Sequence, residues 1–413
     1  MKIAWWMYGN TDDSVFTRNA PKLALSVLDE LRRRGHEIVL NGIARPPDGS
    51  NVDTFDYQDT GRYASAWNGE GLWLHRVILD LIKETRGCDP QNRAQRRLKA
   101  WLESSEFKPL EADVQCLKIN PCVSLAAKLE VTAVILRAVV SGVPVILFDQ
   151  DLGANGLLPC LDDMFRLTGA IRDATRADFV SYFYLFTPYL ARLWAGHQYV
   201  SLPPYQTPPD RAIDTSRVEY DFGYVGNDYE RDQFLAEFYK REHANGATVR
   251  NAVWGRWDLE RHAHLLDSVG AEAFLGPVPP RDILSSYQRC WASIVITHRK
   301  FYPAKLIAFR WCEVAEAGRL MFVDARLRND LELVDEKYYV EAPEPARQLI
   351  QRCRYGAEYI ERVWLQREQL AGHHLLKPSR VPDSIEAVVT KDDFNWQAPE
   401  LGRRHVFDWR ELL

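Results

Sequence analysis

Arg310 and Glu313 lie three positions apart in the stretch PAKLIAFRWCEVAEAGRLMFVDA, whose pattern predicts a helix from Pro303 to Gly318 and then a buried strand. Residues at this spacing share one face of a helix. The same face carries an apolar stripe of Ile307, Trp311 and Val314. A carboxylate accepts hydrogen bonds from both hydroxyls of a diol, and a guanidinium donates to phosphate. A surface ion pair is the alternative interpretation of the two charges.

A glycine turn in the sequence YDFGYVGNDYERDQF is the second candidate site. Gly226 and Asn227 end a predicted strand, and Arg231 lies where the next helix begins. Backbone amides at the start of a helix attract phosphate, and an arginine there adds positive charge. An ordinary turn in which Asn227 or Asp228 caps the helix explains the same residues.

Two acidic residues, Asp149 and Asp151, follow the apolar run GVPVILF, which predicts a buried strand. A partly buried carboxylate at the end of a strand can act as a general base, because burial raises its pKa. The alternative is that one of the two acids caps the turn that follows.

Two groups of basic residues could neutralise phosphates. One follows a predicted strand and consists of His298, Arg299 and Lys300. The other lies on a helix-like segment and consists of Arg93, Arg96, Arg97 and Lys99. Solvated positive charge is the alternative for both, and for the second group we weigh that alternative more heavily.

The bulk composition excludes several classes of protein. A chain of 413 residues with 46% hydrophobic residues predicts two folded domains rather than disorder. The formal net charge of −5 argues against electrostatic binding of nucleic acid over the whole protein surface. The 7 cysteines show no metal-binding or disulfide spacing. No signal peptide or membrane span is recognisable, so we expect a protein of the cytoplasm that does not contact membranes.

Strands and helices alternate twice along the chain, which predicts two doubly wound α/β domains. The expected divisions are an N-terminal domain over 1–200 with an insertion at about 45–110, and a proline-rich linker over 201–219. A second domain follows over 220–365, and a tail over 366–413 is expected to return to the first domain. Ligands of such sheets bind beyond the carboxyl ends of the strands, so the cleft between the domains is the expected site.

Four sequence segments together resemble GT-B glycosyltransferases, and more narrowly the bacteriophage DNA β-glucosyltransferases. They are MKIA followed by Gly9 and Asn10, then YVGNDYERDQF, FLGPVPPRDIL and RWCEVAEAGRLMFVD. The best-matched block runs from about residue 220 to 345, and the segment 45–110 has no counterpart. The resemblance implies a GT-B fold of two Rossmann-like domains facing a cleft.

The resemblance also implies a UDP-sugar donor, with UDP-glucose expected. In that family's pattern Arg310 and Glu313 hold the ribose and phosphate, and Arg231 holds the diphosphate. Main-chain contacts to the uracil fall near Val253 and Trp254. Further donor contacts are expected from Gly226, Asn227, His298, Arg299 and Lys300.

The implied reaction moves the sugar, with inversion, to the hydroxyl of a 5-hydroxymethylated pyrimidine in phage DNA. Asp151 matches the general base, with Asp149 as the alternate. The protein would act as a monomer in the infected host cell, with Arg93 to Lys99 as candidate DNA contacts. A divalent metal ion is compatible with the chemistry, but no metal ligand is signalled by the sequence.

Two alternatives remain at this point. The same fold could serve a surface polysaccharide or a small-molecule acceptor, which the aromatic residues of segment 45–110 would suit. A non-catalytic binding protein on the same scaffold is the third hypothesis. The presence of both acids and of the Arg310–Glu313 pair argues against it.

Overall fold

The computed structural model describes most of the C-terminal half of the chain and separate pieces of the N-terminal half. The described residues are 1–7, 27–42, 56–59, 109–119, 134–149 without 136 and 140, 183–187, 197–200, 205, and 210–390 without 229, 242, 245–246, 280–281, 304, 306–307 and 330.

The described strands of the N-terminal half form one parallel sheet. Its strands are β1 (Lys2–Met7), β2 (Glu37–Gly42), β3 (Asp56–Asp59), β4 (Val114–Ile119), β5 (Val145–Asp149), β6 (Phe183–Thr187) and β7 (His197–Val200). The spatial order is β3-β2-β1-β4-β5-β6-β7. This is a doubly wound order whose direction reverses between β1 and β4. Because β3 pairs with β2, residues 56–59 of the segment predicted as an insertion belong to the sheet.

A second parallel sheet has the order β12-β11-β8-β13-β14-β15 and reverses between β8 and β13. Its strands are β8 (Tyr220–Val225), β11 (Asn251–Trp254), β12 (Phe274–Gly276), β13 (Cys290–Val295), β14 (Leu320–Asp324) and β15 (Tyr339–Val340). A separate antiparallel pair consists of β9 (His243–Ala244) and β10 (Ala247–Thr248). The labelled helices are α1 (Asp232–Phe238), α2 (His264–Ser268), α3 (Ile283–Gln288), α4 (Arg310–Glu316), α5 (Pro343–Cys353), α6 (Ala357–Gly372) and α7 (Arg380–Thr390).

Hydrophobic cores cover both faces of the second sheet, which is typical of a parallel sheet. Successive residues of β14 alternate between them. Met321 and Val323 pack in the core that contains Trp311, whereas Leu320 and Phe322 pack in the opposite core. The period of two along a strand produces this division. The helix α4, which carries Arg310 and Glu313, is therefore anchored in one of these cores.

The helix α7 returns to the first sheet, although the sequence after residue 376 shows little pattern. Its residues Val381, Ile385 and Val388 join a core that contains Ile3 and Trp5 of β1. Ion pairs reinforce the contact at its edge. The Arg34 guanidinium lies 2.7 Å from Asp383 and 2.9 Å from Glu386. The predicted domain boundaries stay predictions.

The helix predicted over residues 230–246 is shorter in the structure. It ends at Phe238, and β9 and β10 pair in antiparallel fashion within the stretch predicted as helix and just after it. The reason is long-range, because the next residue, Tyr239, is fully buried under the sheet and its backbone carbonyl accepts a hydrogen bond from Asn251 Nδ2 at 2.7 Å. Among the described residues, no helix is both long enough and apolar enough to cross a bilayer.

The hydroxyl of Tyr239 fills a gap in the second sheet. The pairing of β8 with β13 ends at Phe222 and Ala292. Beyond that point the Tyr239 hydroxyl accepts a hydrogen bond from Ile294 N at 3.0 Å and lies 3.1 Å from Gly223 O and 2.8 Å from Ile294 O. Where the ladder ends, the hydroxyl therefore accepts from Ile294 N and donates its single proton to one of the two carbonyls.

We expect Tyr239→Phe to lower the free energy of unfolding by about 1–3 kcal/mol, because it leaves buried backbone groups unpaired. Urea-induced unfolding followed by tryptophan fluorescence measures the loss. Tyr355→Phe is the matched control, since Tyr355 is 81% exposed and loses no buried contact. Equal stability of the two variants would contradict this role of Tyr239.

Candidate functional site

The carboxyl ends of β8 and β11 are in backbone contact through two glycines. Gly226 N donates a hydrogen bond to Trp254 O at 2.8 Å. Gly255 has a φ of +147°, and a Cβ placed on it would lie 2.0 Å from Gly226 O. Only glycine fits this approach, so the two turns form one rigid edge beyond the sheet.

The turn after β8 is fastened by its own polar groups. Asn227 Oδ1 accepts a hydrogen bond from Arg256 N at 2.9 Å, and Trp257 Nε1 donates to Gly226 O at 2.9 Å. Arg231 Nη1 donates to Asn227 O at 2.7 Å, and Arg231 is only 8% exposed. Asn227 thus stabilises the turn through its side chain. Arg231 lies against the same turn through its hydrogen bond to the Asn227 carbonyl.

Arg310 reaches from α4 across to the same turn. Its Nε donates to Val225 O at 2.8 Å, and its guanidinium carbon lies 5.1 Å from the centre of the Tyr224 ring. A Cβ on Gly226 would lie 2.3 Å from Arg310 Nη2. The absence of a side chain at Gly226 therefore makes room for the guanidinium beyond the end of β8.

The helix α4 starts at Arg310, not at Pro303 as the sequence predicts. Lys305 has a φ of +50°, which lies outside the right-handed helical region and interrupts the predicted helix. The predicted end is correct, since Gly318 has a φ of +74° just past the last turn. Arg310 and Glu313 consequently both belong to the first turn, from which Arg310 reaches the end of β8.

Glu313 is 6% exposed, and the neighbouring Trp311 is 1% exposed. This burial excludes the interpretation of Arg310 and Glu313 as a solvated surface ion pair. A buried carboxylate is costly unless other groups stabilise its charge.

Three buried hydroxyls lie near Arg310 and Glu313 or just after the neighbouring strand β13. Within the described part of the chain, the hydroxyls of Tyr224, Tyr287 and Thr297 have no hydrogen-bond partner. Burial raises the pKa of Tyr287 well above its ordinary value, and the Glu313 carboxylate raises it further. The Tyr287 hydroxyl therefore stays protonated and available as a donor. Buried polar groups without partners are rare in native proteins, and a polar ligand would satisfy them.

The predicted basic group lies near the same edge. The His298 side chain is 16% exposed, and its Nε2 lies 3.6 Å from Glu230 Oε2. Arg299 and Lys300 belong to the short 3-10 helix Arg299–Phe301, in which Arg299 is exposed.

Val253 and Trp254 are buried within β11, and the Trp254 carbonyl already accepts the Gly226 N–H. Their proposed contact with a uracil stays a prediction.

Of the two predicted acids, Asp149 and Asp151, the structure describes only the first. Asp149 is the last residue of β5, at the carboxyl edge of the first sheet. Asp151, the turn residues Gly9 and Asn10, and the basic segment from Arg93 to Lys99 lie outside the described residues.

Sequence reasoning missed Tyr224 and Tyr287. Both read as ordinary apolar positions of a strand and a helix, and only the packing shows that their hydroxyls are buried without partners.

Comparison with known proteins identifies the fold. No protein-family model matches the sequence. No curated protein matches it significantly. Among solved structures, a DNA-modifying β-glucosyltransferase studied with and without uridine diphosphoglucose superposes with a TM-score of 0.55 at 11% identity, covering 94% of this chain and 100% of that chain. The T4 phage β-glucosyltransferase bound to UDP-glucose gives a TM-score of 0.56 at 11% identity, covering 94% and 99%. The chain has the GT-B fold, as predicted.

We expect Gly255→Ala to destabilise the protein by more than about 3 kcal/mol, because it combines an unfavourable φ with backbone overlap. Gly276→Ala is the matched control, since Gly276 also has a positive φ but nothing lies within 4 Å of an added Cβ. The Gly276→Ala variant isolates the cost of placing a side chain at a positive φ, which is about 1–2 kcal/mol. Thermal unfolding compares the two, and equal losses would show that the Gly226–Gly255 contact contributes nothing.

Proposed function

We propose that this protein is a glycosyltransferase that uses a UDP-sugar, with UDP-glucose the expected donor, bound beyond the carboxyl edge of the second sheet. The observation that carries the proposal is the position of Arg310. Its guanidinium is fixed by Val225 O and the Tyr224 ring directly over a glycine, beside the buried Glu313. A cation and a carboxylate held this way suit a phosphate and a ribose diol.

The leaving group of the proposed reaction is UDP, whose negative charge grows as the glycosidic bond breaks. Arg310 and Arg231 both flank the turn at Gly226, where they would stabilise that charge. His298, Arg299 and Lys300 follow the neighbouring strand β13 and would add positive charge. Because hydrogen bonds fix both arginines beforehand, little reorganisation is needed during the reaction.

The acceptor we propose is the hydroxymethyl group of a 5-hydroxymethylated pyrimidine in DNA. In the reaction a base removes the hydroxyl proton, the oxygen attacks the anomeric carbon, and the bond from that carbon to UDP breaks. We assign the base to Asp151, with Asp149 as the alternate, and expect inversion. In duplex DNA the modified base would leave the stack to reach the cleft.

The support for DNA as the acceptor is narrower than the support for the donor. It consists of the likeness of the fold to a DNA-modifying β-glucosyltransferase and of the candidate DNA contacts Arg93, Arg96, Arg97 and Lys99.

We expect Glu313→Gln to weaken UDP binding about tenfold or more, a change of about 1.4 kcal/mol, because an amide accepts from a diol less strongly than a carboxylate. Isothermal titration calorimetry measures the dissociation constant. Glu358→Gln is the matched control, since Glu358 is a half-exposed glutamate that pairs with Arg362 on α6. Unchanged UDP affinity in Glu313→Gln would remove Glu313 from the site.

Transfer to DNA tests the reaction itself. Radiolabelled UDP-sugars are offered with duplexes containing 5-hydroxymethylcytosine, 5-hydroxymethyluracil or no modified base. We expect label only on modified DNA, loss of transfer in Asp151→Asn, and nearly unchanged UDP binding by that variant. Loss in Asp149→Asn alone would reassign the base. UDP binding without labelled DNA would move the acceptor to a saccharide or small molecule, and absence of UDP binding would overturn the glycosyltransferase assignment.

A further inference from the structure

Two histidines and two aspartates meet beside the turn that follows β8. Asp228 lies in the turn, Asp232 is the first residue of α1, and His262 and His264 lie at the start of α2. These segments come from two separate parts of the chain. The contacts therefore join the turn after β8 to the segment after β11.

The distances within this cluster are unusual for hydrogen bonds. Asp232 Oδ2 lies 3.5 Å from His262 Nδ1 and 3.4 Å from His264 Nε2. Well-formed N–H···O hydrogen bonds are about 2.9 Å long, so neither contact is one. One donor atom each from Asp232, His262 and His264 lies within 4.8 Å of the others.

The two separations from Asp232, 3.5 and 3.4 Å, suit atoms that share a metal ion. In a tetrahedral site with bonds of about 2.0–2.1 Å to nitrogen and oxygen, neighbouring ligand atoms lie about 3.4 Å apart. The other ring nitrogen of His262, Nε2, lies 2.7 Å from Asp228 Oδ2, although the geometry is not that of a hydrogen bond. A carboxylate on the far side of a histidine ring is the usual outer partner of a metal-bound histidine.

The surroundings also favour a bound ion over a solvated cluster. The side chains of His262 and Asp232 are 12% and 18% exposed, whereas that of His264 is 50% exposed. The site is therefore closed on the protein side and open at His264. Ring nitrogens of two histidines lie within 3.5 Å of one carboxylate oxygen, an arrangement that a cation between them would stabilise.

We infer that Asp232, His262 and His264 bind a divalent transition-metal cation, with Zn²⁺ as the best-fitting ion. Two imidazoles and a carboxylate form a nitrogen-rich set that suits Zn²⁺ and Co²⁺, whereas Mg²⁺ and Ca²⁺ take oxygen ligands. Protein side chains alone supply these three ligands, so binding needs no nucleotide. The ion would fasten the start of α1, next to Arg231, to the segment before α2. The His-x-His spacing of RHAHLL is visible in the sequence, but only the fold brings Asp232 to it.

Metal titration of the full-length protein tests the inference without any nucleotide. The protein is treated with a chelator, desalted and titrated with Co²⁺ as a spectroscopic probe. We expect one equivalent to bind with the strong visible absorption of tetrahedral Co²⁺, and Zn²⁺ to displace it. Zn²⁺ should also raise the melting temperature of the wild-type protein, because an ion that binds only the folded state stabilises it.

His264→Ala and Asp232→Asn are the test variants, and we expect each to bind Co²⁺ at least about tenfold more weakly. His264 is half exposed, so its replacement leaves the fold intact, which circular dichroism confirms. His374→Ala is the matched control, because His374 is an exposed histidine outside the cluster.

The inference is overturned if the wild type binds no Co²⁺ at equimolar ratio. It is also overturned if His264→Ala binds as tightly as the wild type, or if His374→Ala loses as much affinity. UDP binding is measured separately, so a failure of the proposed function leaves this result unaffected, and the converse also holds.

Discussion

The separation of β8 from β13 is the feature on which the rest of the site depends. The two strands mark the point where the strand order of the second sheet reverses, and their pairing ends at Phe222 and Ala292. Buried backbone N–H and C=O groups without hydrogen bonds are costly. Beyond the end of the pairing, the Tyr239 hydroxyl provides hydrogen bonds in place of the neighbouring strand. A crevice at the carboxyl ends of the strands can therefore exist, because side-chain hydrogen bonds replace part of the missing ladder.

Arg310 occupies the edge that this crevice creates. Its position follows from two close approaches, that of Gly255 to Gly226 and that of its own guanidinium to Gly226. Both approaches require the absence of a side chain, so the glycines contribute space rather than flexibility. The Tyr224 ring and Val225 O then fix the direction of the guanidinium. The result is a charge held in place before any ligand binds, which is the arrangement that favours catalysis by electrostatic stabilisation.

The residue beside Arg310 links this site to the other sheet. Phe309 packs against the core that contains Trp5 of β1, and α7 joins the same core from the C-terminal end of the chain. The ion pairs of Arg34 with Asp383 and Glu386 lie at the edge of that contact. Any relative movement of the two sheets would therefore act on the start of α4, where Arg310 and Glu313 lie.

The sequence alone determined the class of fold and the main candidate residues, because these depend on local pattern. Alternating strands and helices predict parallel sheets, and glycine marks the turn at Gly226 and the end of α4 at Gly318. The placement of Arg310 and Glu313 on one face of a helix is also readable from their spacing. The helical spacing of Val381, Ile385 and Val388 is present too, but Pro382 in the first turn of α7 obscures it.

Only the tertiary structure decided which of these residues meet. The early end of α1 depends on burial of Tyr239 beneath distant strands, and the late start of α4 depends on the conformation of the loop before it. The meeting of Asp232 with His262 and His264 has the same origin, because about thirty residues of chain separate the two segments. Local pattern encodes a residue's own backbone preference, whereas a site forms from contacts between segments, and those contacts exist only once the sheet has ordered its strands.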